Sequence, residues 1–171
     1  YKPGGSIALQ AQAEGKYTQI TGNFNAPAIL NGLYYITGDA QLSASGISGT
    51  YTIVAEGLID ISGSNINGAS YVNSLLFFSN KVGNNAIKLA GSTSHFAGTG
   101  YFYAPYGKIE TSGSNNAITG GILGSQVTLS GSDLTITYVP LPLSDPSVLQ
   151  LQNPGDIPNP WYNGETVYLN F

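Results

Sequence analysis

The chain has 171 residues, of which only 8% are charged: five Lys, no Arg and nine carboxylates, for a net charge of −4. That length suits one hydrophobic core and is short for two, and the missing basic footprint argues against a nucleic-acid partner, since phosphate binding needs clustered Lys and Arg. The absence of Cys and Met removes disulfides, thiolate nucleophiles and Cys-rich zinc sites.

In chain order, residues 6–13 alternate Ile7, Leu9, Ala11 and Ala13 against Ser6, Gln10 and Gln12, which predicts a strand able to pair locally or with another subunit. From residue 33 to 138 a short phrase recurs. Ser62-Gly63-Ser64-Asn65, Ala90-Gly91-Ser92, Ser112-Gly113-Ser114-Asn115 and Ser130-Gly131-Ser132-Asp133 each follow a strand-like run. A unit this short cannot hold a core alone and must stack on its neighbours, so the sequence predicts an all-β solenoid of about five rungs. Its first column is residues 33–37, 51–55, 75–79, 101–105 and 122–125. The second is 41–45, 58–62, 86–90, 108–112 and 126–130, and the third is 47–49, 66–68, 96–98, 118–120 and 134–138.

The second column alternates cleanly, with Leu42, Ile59, Ile61, Ile87, Leu89, Ile109, Val127 and Leu129 on the inward face. In-register stacking then predicts an outward file of Ser43, Asp60, Lys88, Glu110 and Thr128, in which Asp60 and Glu110 both flank Lys88. The recurrent Gly fits a corner that needs positive φ or room for the rung above. Asn65, Asn115 and Asp133 are read either as turn residues or as a stacked side-chain ladder. Residues 140–160 hold six of the nine prolines and are expected to drape over the surface as irregular structure. Val167, Leu169 and Phe171 alternate again at the end. The expected organisation is one domain: an N-terminal strand and cap over 1–32, the solenoid over 33–139, and a Pro-rich cover with a terminal strand over 140–171. The sequence starts at Tyr1 without Met and shows no signal peptide or apolar run of about 18 residues able to span a bilayer. A removed leader or a domain of a longer protein is expected.

The phrases Leu33-Tyr34-Tyr35-Ile36-Thr37-Gly38-Asp39, Tyr51-Thr52-Ile53-Val54-Ala55, Tyr103-Ala104-Pro105-Tyr106-Gly107 and Val127-Thr128-Leu129-Ser130-Gly131-Ser132 resemble the β-solenoid domains of bacterial surface proteins encoded with type IV pilus components. The cellulose-binding adhesins called tāpirins are a more distant likeness. The resemblance implies a right-handed parallel β-helix, a location outside the membrane and a role in attachment. A composition with 23 Gly, 12 Tyr and no oxidisable sulfur is similar to that of bacterial or archaeal surface proteins, which agrees with an extracellular or cell-surface location.

Catalysis is not expected. A glycosidase needs two carboxylates about 5–9.5 Å apart in a cleft, whereas the best pair, Asp60 and Glu110, has Lys88 between them. His95, the single imidazole, sits among hydroxyls, and no Asp-x-Asp spacing offers a calcium loop. No cofactor or metal is therefore expected. Aromatics are the feature most suited to binding. The first column carries Tyr34, Tyr35, Tyr51, Phe77, Phe78, Tyr101, Phe102 and Tyr103, with Tyr106 at the corner, too many for one inward face. The outward set is either a platform for sugar rings or a surface buried under terminal segments, and Thr52 and Val54 argue opposite phases for it. The candidate ligand-binding residues are Tyr34, Tyr101, Tyr103, Tyr106, Trp161 and Tyr162. Two functions follow as expectations. The first is a non-catalytic adhesion domain binding polysaccharide or another surface ligand, with pilus components as partners. The second is a filament subunit that binds copies of itself by exchanging residues 6–13 or 166–171.

Overall fold

In the computed structural model, which describes residues 1–72 and 74–140, the chain winds into a parallel β-solenoid of about six turns. The elements are α1 (Ser6–Ala13), β1 (Tyr17–Ile20), β2 (Phe24–Asn25), β3 (Ile29–Ile36), β4 (Ala40–Leu42), β5 (Ser48–Ala55), β6 (Ile59–Ile61), β7 (Asn67–Ala69), β8 (Leu75–Ser79), β9 (Gly83–Leu89), β10 (His95–Thr111), β11 (Ala117–Leu129) and β12 (Thr135–Tyr138). The strands belong to one sheet and stack in three columns. The long strands β3 and β5 turn a corner, finishing the third column of one turn and starting the first column of the next.

Two expectations are corrected at the N-terminal side. Residues 6–13 are helix, not strand. Counting Ala as apolar produced the alternation, but Ala, Leu and Gln are strong helix formers, and the buried residues Ala8 and Ala11 lie three apart on one helical face. The helix ends in a Schellman closure: Gly15 N–H donates to Gln12 O at 3.0 Å and Lys16 N–H to Ala11 O at 2.8 Å, with Gly15 at φ 66°. The solenoid also begins one turn early. β1 pairs Tyr17 with Leu33 and β2 pairs Phe24 with Ala40, which makes part of the expected cap a rung.

The second column stacks Asp60 on Lys88 and Lys88 on Glu110, followed by Thr128. Its earlier member is Gln41 rather than Ser43. Later corners place Gly three residues after this file, but the second turn has Ala44 there and Gly46 two residues on, so counting back from Gly46 lands late. The two glycines do different jobs. A Cβ on Gly91 or Gly113 would sit 1.8 or 1.7 Å from the carbonyl oxygen of Gly63 or Gly91, so these positions give room to the neighbouring rung. Gly46 at φ 77° instead shares the left-handed position of Asn65 (56°), Thr93 (57°), Asn115 (54°) and Asp133 (57°). Asn and Asp tolerate that conformation, and their backbone N–H groups run up the corner, Asn65 to Ser92 O and Asn115 to Ser132 O, both 3.0 Å.

The third column also shifts from its expected alignment. His95 pairs with Asn67 and Ala117, so Ile66 shares its position with Ser94 and Asn116 instead of Phe96. The two polar residues are buried and satisfied: Ser94 Oγ accepts from Ile66 N–H at 3.2 Å, Asn116 Oδ1 from Ser94 N–H at 3.0 Å, and Asn116 Nδ2 donates to Gly91 O at 2.9 Å.

Inside, Ile53, Phe77 and Phe102 form the inward file of the first column and face Leu42, Ile59, Ile61, Ile87, Leu89 and Ile109 of the second within one buried cluster. Phe77 meets Phe102 edge-on with centroids 4.9 Å apart and Phe96 at 5.8 Å, a favoured arrangement for aromatic pairs. Tyr51 fills the lumen where Gly68 leaves space, since a Cβ there would lie 2.5 Å from the phenolic oxygen. That hydroxyl is buried without a hydrogen-bond partner, and burial raises its pKa. In the sixth turn the inward phase continues, but Val127 and Leu129 are 40% and 53% exposed.

Candidate functional site: an aromatic file on the outer sheet face

The register settles which first-column residues point outward. Gln19, Tyr35, Val54, Phe78, Tyr103 and Leu123 occupy one file, one residue per turn. Thr52 and Val54 are on the same outward side, two residues apart, and both are buried because this face has a second layer. Thr52 donates its hydroxyl to Leu75 O at 2.6 Å and accepts from Val72 N–H at 3.0 Å, which holds the connection before β8 against the sheet.

Gln19 at the start of the file is exposed, and from Tyr35 on the face is covered. Ala11, Leu33, Tyr35, Val54 and Val72 form a second apolar cluster, with Tyr1, Ile7, Tyr17, Tyr71 and Phe78 packed against it. Polar groups close the edges of this layer. Glu56 accepts from the Tyr35 hydroxyl at 2.7 Å and Asn80 Nδ2 at 2.6 Å, and pairs with Lys2 Nζ at 3.1 Å. Burial alone would raise the Glu56 pKa, but the hydrogen bonds from Asn80, Tyr35 and Lys2 outweigh it and hold the carboxyl below its ordinary value. On the other side, Tyr35 is pushed up to about 12, first by burial and then by Glu56. At the far end of α1, Glu14 accepts from the Tyr71 hydroxyl and from Gln10, and these bonds lower its pKa.

The later part of the face opens. Phe78 meets Tyr103 in a T-shaped contact with centroids 5.5 Å apart. Tyr103 is half-buried, Leu123 is 48% exposed, and Tyr106 at the following corner is 60% exposed. Burial and the nearby Tyr106 raise the Tyr103 pKa, so the Tyr103 phenol stays neutral at physiological pH. Neutral hydroxyls on exposed rings give amphipathic contact area.

The other sequence-chosen residues do not join this surface. Tyr34 packs against the inner core, stacks on Phe24 at 5.6 Å and accepts from Asn31 N–H at 3.2 Å. Tyr101 is 5% exposed and donates its hydroxyl to Val139 O at 2.6 Å. Trp161 and Tyr162, with the expected cover from residue 141 on, lie outside the described residues. Leu123 was missed because residues 122–125 look degenerate; its pairing with Tyr103 is the signal that places it.

Glu110 pairs with Lys108 at 2.9 Å on its own strand, while Asp60 Oδ1 is buried without a hydrogen-bond partner. A depression of about 160 Å³ between α1 and the Tyr71–Val72 turn, and another of about 260 Å³ beside Leu129 and Leu134, are smaller than the roughly 300–1,000 Å³ of small-molecule sites. Among the described residues no group of three His, Cys, Asp or Glu comes together, and no helix is long and apolar enough to cross a membrane. No family model, no curated protein and no solved structure matches the chain. The class that the fold defines is a parallel β-solenoid with an aromatic outer file.

Proposed function

We propose that this chain is a non-catalytic attachment domain that works outside the cell, pilus- or envelope-associated, and binds polysaccharide across the open part of the aromatic file. The observation that carries this reading is the passage of one outward file from cover at Tyr35 and Val54 to exposure at Tyr103 and Leu123, with exposed Tyr106 at the corner beside them. Sugar rings present flat C–H faces that pack on such rings, and stacked turns about 4.8 Å apart make the surface periodic and rigid. The resemblance of the repeat phrases to pilus-associated solenoid domains supports the same role. Pull-down on insoluble β-1,4-glucan and on chitin tests it. Saturable retention that falls at least tenfold in Tyr103→Ala/Tyr106→Ala supports the reading, and retention unaffected by the double substitution sinks it.

Self-assembly is a second reading, favoured by the last turn. Val127, Leu129 and Ile136 are inward-file residues that stand exposed, although Ile109 and Ile118 one turn earlier are buried. Among the described residues β1 and β12 each pair on one side only, so end-to-end stacking of copies would pair these edges and form a non-closing filament. Residues 6–13, being helix, are removed as a strand donor; 166–171 lie outside the described residues. Negative-stain microscopy showing filaments that Val127→Lys/Leu129→Lys abolishes would favour this reading over attachment by single domains.

A further inference from the structure

The cover over the aromatic file is attached differently from everything else in the fold. Each solenoid turn is tied to its neighbours by ladders of backbone hydrogen bonds. Among the described residues, by contrast, the backbone bonds of residues 2–14 stay within that segment and its closing turn at Lys16. Ala11, Ile7 and Tyr1 pack on the apolar cluster, with the Tyr1 ring 6.5 Å from Phe78, the Tyr17 hydroxyl donates to Tyr1 O at 3.5 Å, Lys2 pairs with Glu56 and Glu14 accepts from Tyr71.

Its internal stability is low as well. Eight residues are too few for a stable isolated helix, and Gly5 supplies no side-chain cap. The seat is imperfect, since the depression between α1 and the Tyr71–Val72 turn runs along Ile7, Gln10, Ala11 and Glu14. Gly15, at φ 66°, follows immediately and can absorb a change of chain direction. Beneath lie Tyr35 and Val54, in file with Phe78, Tyr103 and Leu123.

We propose that residues 1–14 are a latch that opens as a unit about Gly15, extending the accessible aromatic file from Tyr103 and Leu123 back to Phe78, Val54 and Tyr35 for an extended polysaccharide. The ligand half of this inference rests on the function proposed above. Opening takes α1 and Tyr1 off the file while Val72 stays beside Val54, and the file then runs over five consecutive turns, four steps of about 4.8 Å or about 19 Å in all, where the closed form offers two. It leaves every ladder of the solenoid intact. Segments held by few buried contacts and no ladder are those that open locally below the global unfolding free energy, and a ligand selecting the open form shifts the population towards it.

Hydrogen exchange and binding, read on the same samples, test it. Ala11→Glu places a charge at the seat of α1; Glu14→Gln/Tyr71→Phe removes one polar latch and keeps the ring of residue 71 on the apolar cluster. Expected are a loss of at least tenfold in amide protection over α1 with the amides of Ile53, Phe77 and Phe102 unchanged, and at least fivefold tighter binding of β-1,4-linked hexasaccharides of glucose or N-acetylglucosamine. The double substitution moves both readouts less, in the same direction. Loss of protection spreading into β3 and β5 overturns the latch, because α1 then belongs to the cooperative core. Open α1 with equal or weaker hexasaccharide binding overturns the link to the file. Absence of hexasaccharide binding in parent and variant alike, with α1 open, overturns the ligand half together with the binding face, while the opening is still read by exchange.

Discussion

Two halves of one outward file behave differently. Tyr35 and Val54 are buried under α1, while Tyr103 and Leu123, in the same file two or more turns on, meet solvent. Backbone geometry and residue type are alike in both halves. The difference comes from what lies on top, so on a sheet with two apolar faces the covering segment decides which part is core and which part is surface. Only the exposed half is free to bind in the closed form.

The largest expected effect removes the support common to both halves. Phe77→Ala empties the centre of the ring cluster formed with Phe96 and Phe102 and should cost about 3–5 kcal/mol by urea denaturation. Phe78→Ala, the outward neighbour in β8, should cost clearly less. Ala11→Glu, which places a carboxylate at a buried seat, should cost about 1–3 kcal/mol and confine the loss of protection to the covered half.

A smaller effect distinguishes the halves by pH. Glu14 and Glu56 both have folded-state pKa values below the ordinary carboxylate value, so their contribution to holding the cover is present above that ordinary value and is lost as pH falls through the depressed ones. The groups facing them are Tyr71, Gln10 and Lys16 for Glu14, and Tyr35, Asn80 and Lys2 for Glu56. Protection of the α1 amides, relative to their intrinsic exchange rates, should therefore fall below about pH 4 before that of the solenoid amides, and Glu14→Gln should reduce that acid response. The smallest effect is inside. Tyr51→Phe deletes a buried hydroxyl without a partner and should leave stability unchanged or raise it by up to about 1 kcal/mol, with no change at either half of the file.

What the sequence made legible follows the same division. The second column has one wet face, so its alternation gave the inward set, and the sign pattern of Asp60, Lys88 and Glu110 marked the register. The first column resisted because both of its faces are apolar: Thr52 looked inward-breaking and Val54 outward-breaking, yet both are buried beneath a second layer. Aligning Leu33 with Tyr51 rather than with its partner Thr52 was a one-residue slip, which exchanges the two faces. Tyr34 and Tyr101 share only residue type with Tyr103: their side chains serve the core and a backbone carbonyl. The cover itself was hidden in an alternation that Ala and Gln satisfy as readily in a helix as in a strand.

The most direct measurement is hydrogen exchange of the native chain with and without a saturating β-1,4-linked polysaccharide that it retains. The account predicts slowed exchange at residues 101–106 and 121–123, where the open half of the file lies. Protection appearing instead along Gln41, Asp60 and Lys88 on the second column, or on no face at all, would contradict it.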